Sequence, residues 1–311
     1  MRGFHSNPRP VKEGHGSLAL SRRSGLWLAV CCVTLCGGIA LAMSSMRPRR
    51  TTGSRRSASM LVWSDDFRGP SNRLPRPDYW EVDVGAGWGN GELQSYSART
   101  KNVSLNGRGD LVLTARRASV VGARGRPAYR YTSGRVDTEG RVAFSRGFVE
   151  ARIKVPSGQG LWPAFWLHST GSNQRWDGEL DAMEMIGKYP RTVFATAHYP
   201  TFRFETRTSR VTATPISYRG AAGSVTLPRP LSDRFHVYGM RWNSESVTFW
   251  MDGDLYYTVE RASLRPGQTW VFDHPFYIVL DLAVGGGWPG PPTSSTRFPA
   301  RMVVDWIRFY S

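Results

Sequence analysis

The feature that most restricts the fold of this chain is a period of two in its apolar residues, recurring from residue 60 onward and punctuated by glycine and proline. Leu111-Val112-Leu113-Thr114-Ala115, Phe148 to Val155, Val247-Thr248-Phe249-Trp250-Met251 and Val303 to Phe309 all alternate in this way. Successive side chains on a β-strand point to opposite faces, so a half-buried strand reads as such an alternation. The 33 Gly and 20 Pro fall largely between these runs, as in Val155-Pro156-Ser157-Gly158-Gln159-Gly160 and Asp252-Gly253-Asp254, where the backbone must reverse. Beyond the N-terminal region no stretch of ten or more residues shows a convincing helical period, which argues against alternating βαβ units. The expectation is an all-β fold of antiparallel strands in a two-sheet sandwich, as one folded domain over residues 60–311.

The N-terminal region reads differently. Residues 1–25 are basic, Leu26 to Met43 is almost uninterruptedly apolar, and residues 44–59 are Arg, Ser, Thr and Gly with little to bury, as in a flexible linker. Arg22-Arg23 before the apolar stretch and Ala40-Leu41-Ala42 near its end fit a signal peptide, while its length and Arg47, Arg49 and Arg50 behind it also fit an uncleaved membrane anchor. Either way the domain is expected outside the cytoplasm, secreted or anchored. The three cysteines, Cys31, Cys32 and Cys36, all lie in the apolar stretch, so no disulfide or Cys-ligated metal is expected in residues 60–311.

The formal charge is +17, but residues 1–59 hold 10 Lys/Arg and one acid, leaving 31 against 23, or +8, for residues 60–311. That charge is mostly scattered arginine with no nucleic-acid-binding motif, so a nucleic acid partner is not expected. The six histidines include no H-x-x-x-H pair, and no transition-metal site suggests itself.

The most informative segment is Trp176-Asp177-Gly178-Glu179-Leu180-Asp181-Ala182-Met183-Glu184-Met185-Ile186-Gly187, where acids interrupt an apolar run. Burying an acid is costly, so such a run needs a reason. On a regular strand Glu179 and Asp181 share a face and Glu184 takes the other. A one-residue β-bulge near Ala182-Met183 restores the alignment, with Leu180 and Met185 packing behind. Four strand steps of about 3.3 Å then separate the outer backbones by roughly 13 Å, and convergent side chains reach carboxyls roughly 5 Å apart, the spacing of a retaining glycosidase. Three acids paired with arginines on a solvated strand satisfy the same local pattern.

Gly178 to Glu184 resembles the bulged E-x-D-x-x-E signature of glycoside hydrolase family 16. Its neighbours resemble the laminarinase-like (endo-1,3-β-glucanase) branch: Gly87 to Tyr96, Thr132-Ser133-Gly134-Arg135, Gly160 to Leu167, Leu282 to Gly290 and Val304 to Tyr310. The likeness covers Val62 to Tyr310. It implies a jelly-roll sandwich (concanavalin A-like) with an open concave sugar cleft, Glu179 as nucleophile, Asp181 as its helper, Glu184 as general acid/base and no cofactor in the chemical step. It further implies that His198, on the adjacent strand, bonds Glu184, and that Asn102 and Arg135 contact sugar.

Trp88, Trp162, Trp166, Trp176 and Trp288 are candidate sugar platforms, with core packing as the alternative. Trp162 and Trp166, four apart, share one strand face. Glu92 bonds sugar hydroxyls or holds its Gly-rich loop. The resemblance also implies a structural calcium held by Asp305 with Asp66 or a carbonyl near Gly107, the alternative being an Asp paired with Arg308 or solvent. Two departures stand out: the family's W-P-x-x-G is shortened to Trp176-Asp177-Gly178, and Asp281 replaces an Asn. The expected partner is a β-1,3-glucan, with mixed-linkage glucan, an acidic galactan, or glucan binding without cleavage as alternatives. A monomer is expected.

Overall fold

A computed structural model describes residues 60–120, 129–171, 177–207 and 210–311, with backbone alone for 205–207 and 210–219. The expectations placed on residues 1–59 and on Trp176 lie outside the described residues.

Two sheets account for the described strands. In spatial order the ten-stranded sheet runs β16 (Asp254–Glu260), β15 (Ser246–Met251), β14 (His236–Trp242), β9 (Gly147–Lys154), β18 (Ala300–Tyr310), β5 (Leu111–Val120), β6 (Tyr129–Ser133) and β3 (Gln94–Tyr96). Two further strands attach to it, β1 (Leu61–Asp65) beside β18 and β4 (Val103–Leu105) beside β5. The eight-stranded sheet runs β13 (Arg210–Thr226), β12 (Thr192–Arg207), β11 (Glu179–Glu184), β10 (Leu161–Ser169), β17 (Phe276–Val284), β7 (Arg135–Asp137) and β2 (Glu81–Val82), with β8 (Ala143–Phe144) beside β17. The four alternating runs singled out in the sequence lie in β5, β9, β15 and β18. One pairing departs from the antiparallel expectation: β3 lies parallel to β6, Gln94 opposite Tyr131. Among the described residues the one helical segment is a single 3-10 turn, Arg261–Ser263, and no helix is long and apolar enough to cross a membrane.

The core lies between the sheets, and strand parity decides which side chains enter it. On β10, Leu161, Phe165 and Leu167 are buried inward, while Trp162, Trp166 and His168 face a cleft on the outer side. Leu180 of β11 and Val193, Ala195 and Ala197 of β12 join the same cluster as Val149, Ala151 and Ile153 of β9 and Tyr238, Met240 and Trp242 of β14. Each fully buried large apolar side chain contributes roughly 1.5–3 kcal/mol.

The turns follow their chemistry. Asp252 and Gly253, joining β15 to β16, both have positive φ (51° and 91°), as a tight hairpin turn demands. Gly160 opens β10 at φ +79°, and a Cβ there would lie 2.3 Å from the Pro292 nitrogen, so only glycine fits. The N-terminal strand is pinned by buried Asp65, which accepts from the Phe67 N–H (2.8 Å) and Trp80 Nε1–H (2.9 Å).

Candidate active site

The site is built on a bulge in β11. Glu179 lies opposite His198, Asp181 opposite Thr196 and Glu184 opposite Phe194, so three steps along β11 match two along β12. Against β10 the same slip appears, with Trp166 opposite Asp181 and Phe165 opposite Met183. Ala182 and Met183 are both buried in the core, which absorbs the extra residue. As strand parity required, Glu179, Asp181 and Glu184 therefore all line one cleft of about 900 Å³, with Leu180 and Met185 buried behind them.

Three carboxyls in one desolvated space resist carrying three charges. Burial, reinforced by the Asp181 charge, pushes Glu179 up to about 8, while His198 and Arg135 draw it back toward the charged form. Burial likewise raises Asp181, which shares a hydrogen bond with Glu179. Glu184 is raised well above its ordinary value by burial and then by Asp181, against a hydrogen bond from Trp162. The three acids therefore cannot all carry charge at once: Glu184, raised furthest by burial, is the one that keeps a proton, while His198 and Arg135 favour the charged form of Glu179.

The tryptophans act as donors as well as surfaces. Trp162 Nε1–H donates to Glu184 (2.9 Å), and Trp166 Nε1–H donates to Asp281 (2.8 Å), whose other oxygen accepts from the Tyr96 hydroxyl (2.9 Å). Arg135 lies between the rings of Trp88 and Trp166, 4.3 and 5.0 Å from their centroids, and its Nε–H donates to Asp83 (2.7 Å). Trp288 meets Trp162 edge-on at 5.6 Å and Phe194 at 5.0 Å. Trp88, Trp162, Trp166 and Trp288 all line the cleft, as do Arg135 and Glu92.

Several expectations are corrected. His198 stands on the strand beside the acids, but its Nε2 lies 3.1 Å from Asp181 and 3.8 Å from Glu179, where it was expected beside Glu184. The cross-strand register explains this, because His198 faces Glu179, whereas Glu184 faces Phe194, four residues away along β12. Asn102 is not in the cleft: it is fully buried, and its amide donates to the Thr114 carbonyl (2.8 Å) and Thr132 hydroxyl (3.1 Å), bracing β5 and β6. Glu92 accepts from the Asn90 backbone and side chain (3.2 and 3.1 Å), which holds its loop.

The two acids considered for calcium face guanidinium groups. Asp305 pairs with Arg152, and Asp66 lies 3.9 Å from Arg308 and 3.8 Å from Arg68. These pairings match the alternative reading of the two acids, an Asp paired with arginine.

Asp281 emerges as a hub that the sequence reading treated only as a departure. Every residue of β17 is buried, so an acid within Phe276-Tyr277-Ile278-Val279-Leu280-Asp281-Leu282-Ala283-Val284 carried the same signal as the acids of β11. Burial raises its pKa, opposed first by the nearby Arg135 and then by the bonds from Trp166 and Tyr96. Asp83, Asp137, His168 and Tyr277, which also line the cleft, carried no such local signal.

A stability prediction follows from Glu179. Its proton is held more tightly in the folded state (about 8) than at the ordinary value of 4.5, so stability falls as pH rises through that window. Glu179→Gln removes the titration. Because Glu179 keeps 28% of its side chain exposed, only part of the shift counts; at pH 9 the variant is expected to be more stable by on the order of 2 kcal/mol, melting about 4–8 °C higher. Thermal melts from pH 4 to 9 check this, and an advantage that does not grow with pH counts against it.

Comparison with known proteins agrees with the geometry. Residues 90–308 match the glycosyl hydrolases family 16. The chain is 36% identical over 262 residues to the beta-glucanase of Rhodothermus marinus, covering 80% of this chain and 84% of that protein. It spans 37% of the length of each of two other relatives at 30% identity. Among solved structures, the endo-β-1,3-glucanase of Pyrococcus furiosus superposes with a TM-score of 0.71 at 38% identity, covering 81% of this chain and 94% of that one. The laminarinase catalytic domain of Thermotoga maritima gives 0.70 at 36%, covering 81% and 98%. An acid trio in a cleft across one sheet of a β-sandwich, with this likeness over most of the described chain, places the protein in glycosyl hydrolase family 16, as a glycoside hydrolase.

Proposed function

We propose that the chain cleaves internal β-1,3 bonds of a laminarin-like β-glucan with retention of configuration. The observation that carries this reading is the bulged strand β11, which turns Glu179, Asp181 and Glu184 into one cleft. The β-1,3 preference rests on the relatives, two of which are named for 1,3-β-glucan or laminarin cleavage.

In the first step the Glu179 carboxylate attacks the anomeric carbon while Glu184 gives its proton to the departing glycosidic oxygen. Asp181, hydrogen-bonded to Glu179 and 3.1 Å from His198, fixes the nucleophile's orientation. In the second step Glu184, now a carboxylate, takes a proton from the water that hydrolyses the glycosyl-enzyme, and the site returns to its starting protonation. No cofactor takes part. Arg135 between Trp88 and Trp166 offers a flat cationic wall for sugar hydroxyls, and Trp162 and Trp288 form an edge-to-face pair beside Glu184.

The domain over residues 60–311 acts outside the cytoplasm as a monomer. The apolar stretch Leu26 to Met43 between basic flanks supports export, as a cleaved signal or a membrane anchor.

Reducing-sugar release from laminarin, lichenan and agarose tests the substrate. Release from laminarin above the others supports the proposal; release from lichenan or agarose alone replaces the substrate, and tight glucan binding with no product replaces the activity. Trp162→Phe probes the acid. Loss of the indole N–H removes a bond that holds the Glu184 pKa down, so the alkaline limb of kcat/KM is expected to move to higher pH. An unmoved limb separates Trp162 from the titration of Glu184.

A further inference from the structure

Two of the catalytic acids, with His198, also form a cluster of metal-ligating atoms. Glu179, Asp181 and His198 place one ligand atom each within 4.8 Å of one another. His198 Nε2 lies 3.1 Å from Asp181 Oδ2 and 3.8 Å from Glu179 Oε1. Tetrahedral zinc with bonds of about 2.1 Å sets its ligand atoms about 3.4 Å apart, between those two distances. Asp181 is 3% exposed, and its Oδ2, aimed at the imidazole, accepts no aligned hydrogen bond. A buried acceptor of that kind is costly to leave unsatisfied. Glu179 and His198 each keep 28% of their side chains exposed, so the cleft gives an entry path and leaves a fourth position for water.

The geometry points to a divalent transition-metal site made of Glu179, Asp181 and His198, with zinc as the fitting ion and inhibition as its consequence. Two carboxylate oxygens and one imidazole nitrogen suit zinc, whereas calcium takes six or more oxygens. A bound ion would tie up the Glu179 carboxylate that attacks the anomeric carbon and fill the space beside it. Zinc and glucan therefore exclude each other. The inhibition rests on the role proposed for Glu179; the binding does not.

The test is calorimetric titration of the full chain with zinc chloride, alongside His198→Gln and Glu179→Gln. Because His5, His15 and three cysteines lie in residues 1–59, the informative quantity is the difference between proteins. One zinc equivalent whose affinity falls about tenfold or more in each variant supports the site. Heats that match across the three proteins overturn it, provided thermal melts show both variants folded. In rate assays zinc is expected to raise the apparent KM for laminarin with kcat unchanged. Zinc bound in a His198-dependent way without effect on the rate leaves the site standing and removes Glu179 from the reaction.

Discussion

Glu179→Gln is expected to lower kcat on laminarin by at least about 10⁴-fold while leaving the protein folded. The amide is nearly isosteric with the acid and keeps its place on β11 opposite His198, but it has no charge with which to attack the anomeric carbon. Most substitutions in a buried polar cluster cost stability. Here the acid is one of three resisting charge in the same desolvated space, so a neutral replacement relieves repulsion between Glu179 and Asp181. Loss of activity should therefore accompany a higher melting temperature at alkaline pH, a pairing that general misfolding cannot produce. Reducing-sugar assays beside thermal melts measure both. A kcat within tenfold of the parent would remove Glu179 from the nucleophile's role.

Glu184→Gln is expected to behave differently with different leaving groups. On glucan, where a sugar hydroxyl departs, loss of the proton donor should cost about 10²–10⁴-fold. On an aryl glycoside, whose phenolate leaves unaided, the first step should be much less affected, and the glycosyl-enzyme should accumulate because no base activates water. The alkaline limb of the pH profile should vanish on both substrates, because the group raised by burial and Asp181 is gone. Equal losses on glucan and aryl glycoside would assign Glu184 to positioning rather than proton transfer. Trp162 is the internal control, since its indole N–H donates to Glu184 but carries no proton that titrates in this range.

Parity along a strand made much of this site legible. Glu179, Asp181 and Glu184 can share a face only if one residue bulges out, and Ala182 and Met183 are the apolar residues the core accepts there. The same argument put Trp162 and Trp166 on one face of β10, and the structure turns that face to the cleft. It missed Asp281 for want of application rather than of signal, because an acid in a nine-residue buried strand needs partners wherever it occurs. It missed the zinc-compatible triad because His198 lies 14 residues beyond Glu184, and metal-ligand spacing rules describe residues close in sequence.

The sequence by itself determined the strand period, the turns at Asp252-Gly253 and Gly160, the bulge and the family. All are properties of short segments, where side-chain direction and allowed φ follow from covalent geometry. Tertiary structure alone decided which strands lie side by side. That choice set His198 against Asp181, buried Asn102 under Thr114 and Thr132, turned Arg152 and Arg308 onto Asp305 and Asp66, and closed the Tyr96–Asp281 bond across 185 residues of chain. Contacts of that range depend on register between strands distant in sequence. Register is fixed by burying both inner faces at once, a condition that no single segment contains.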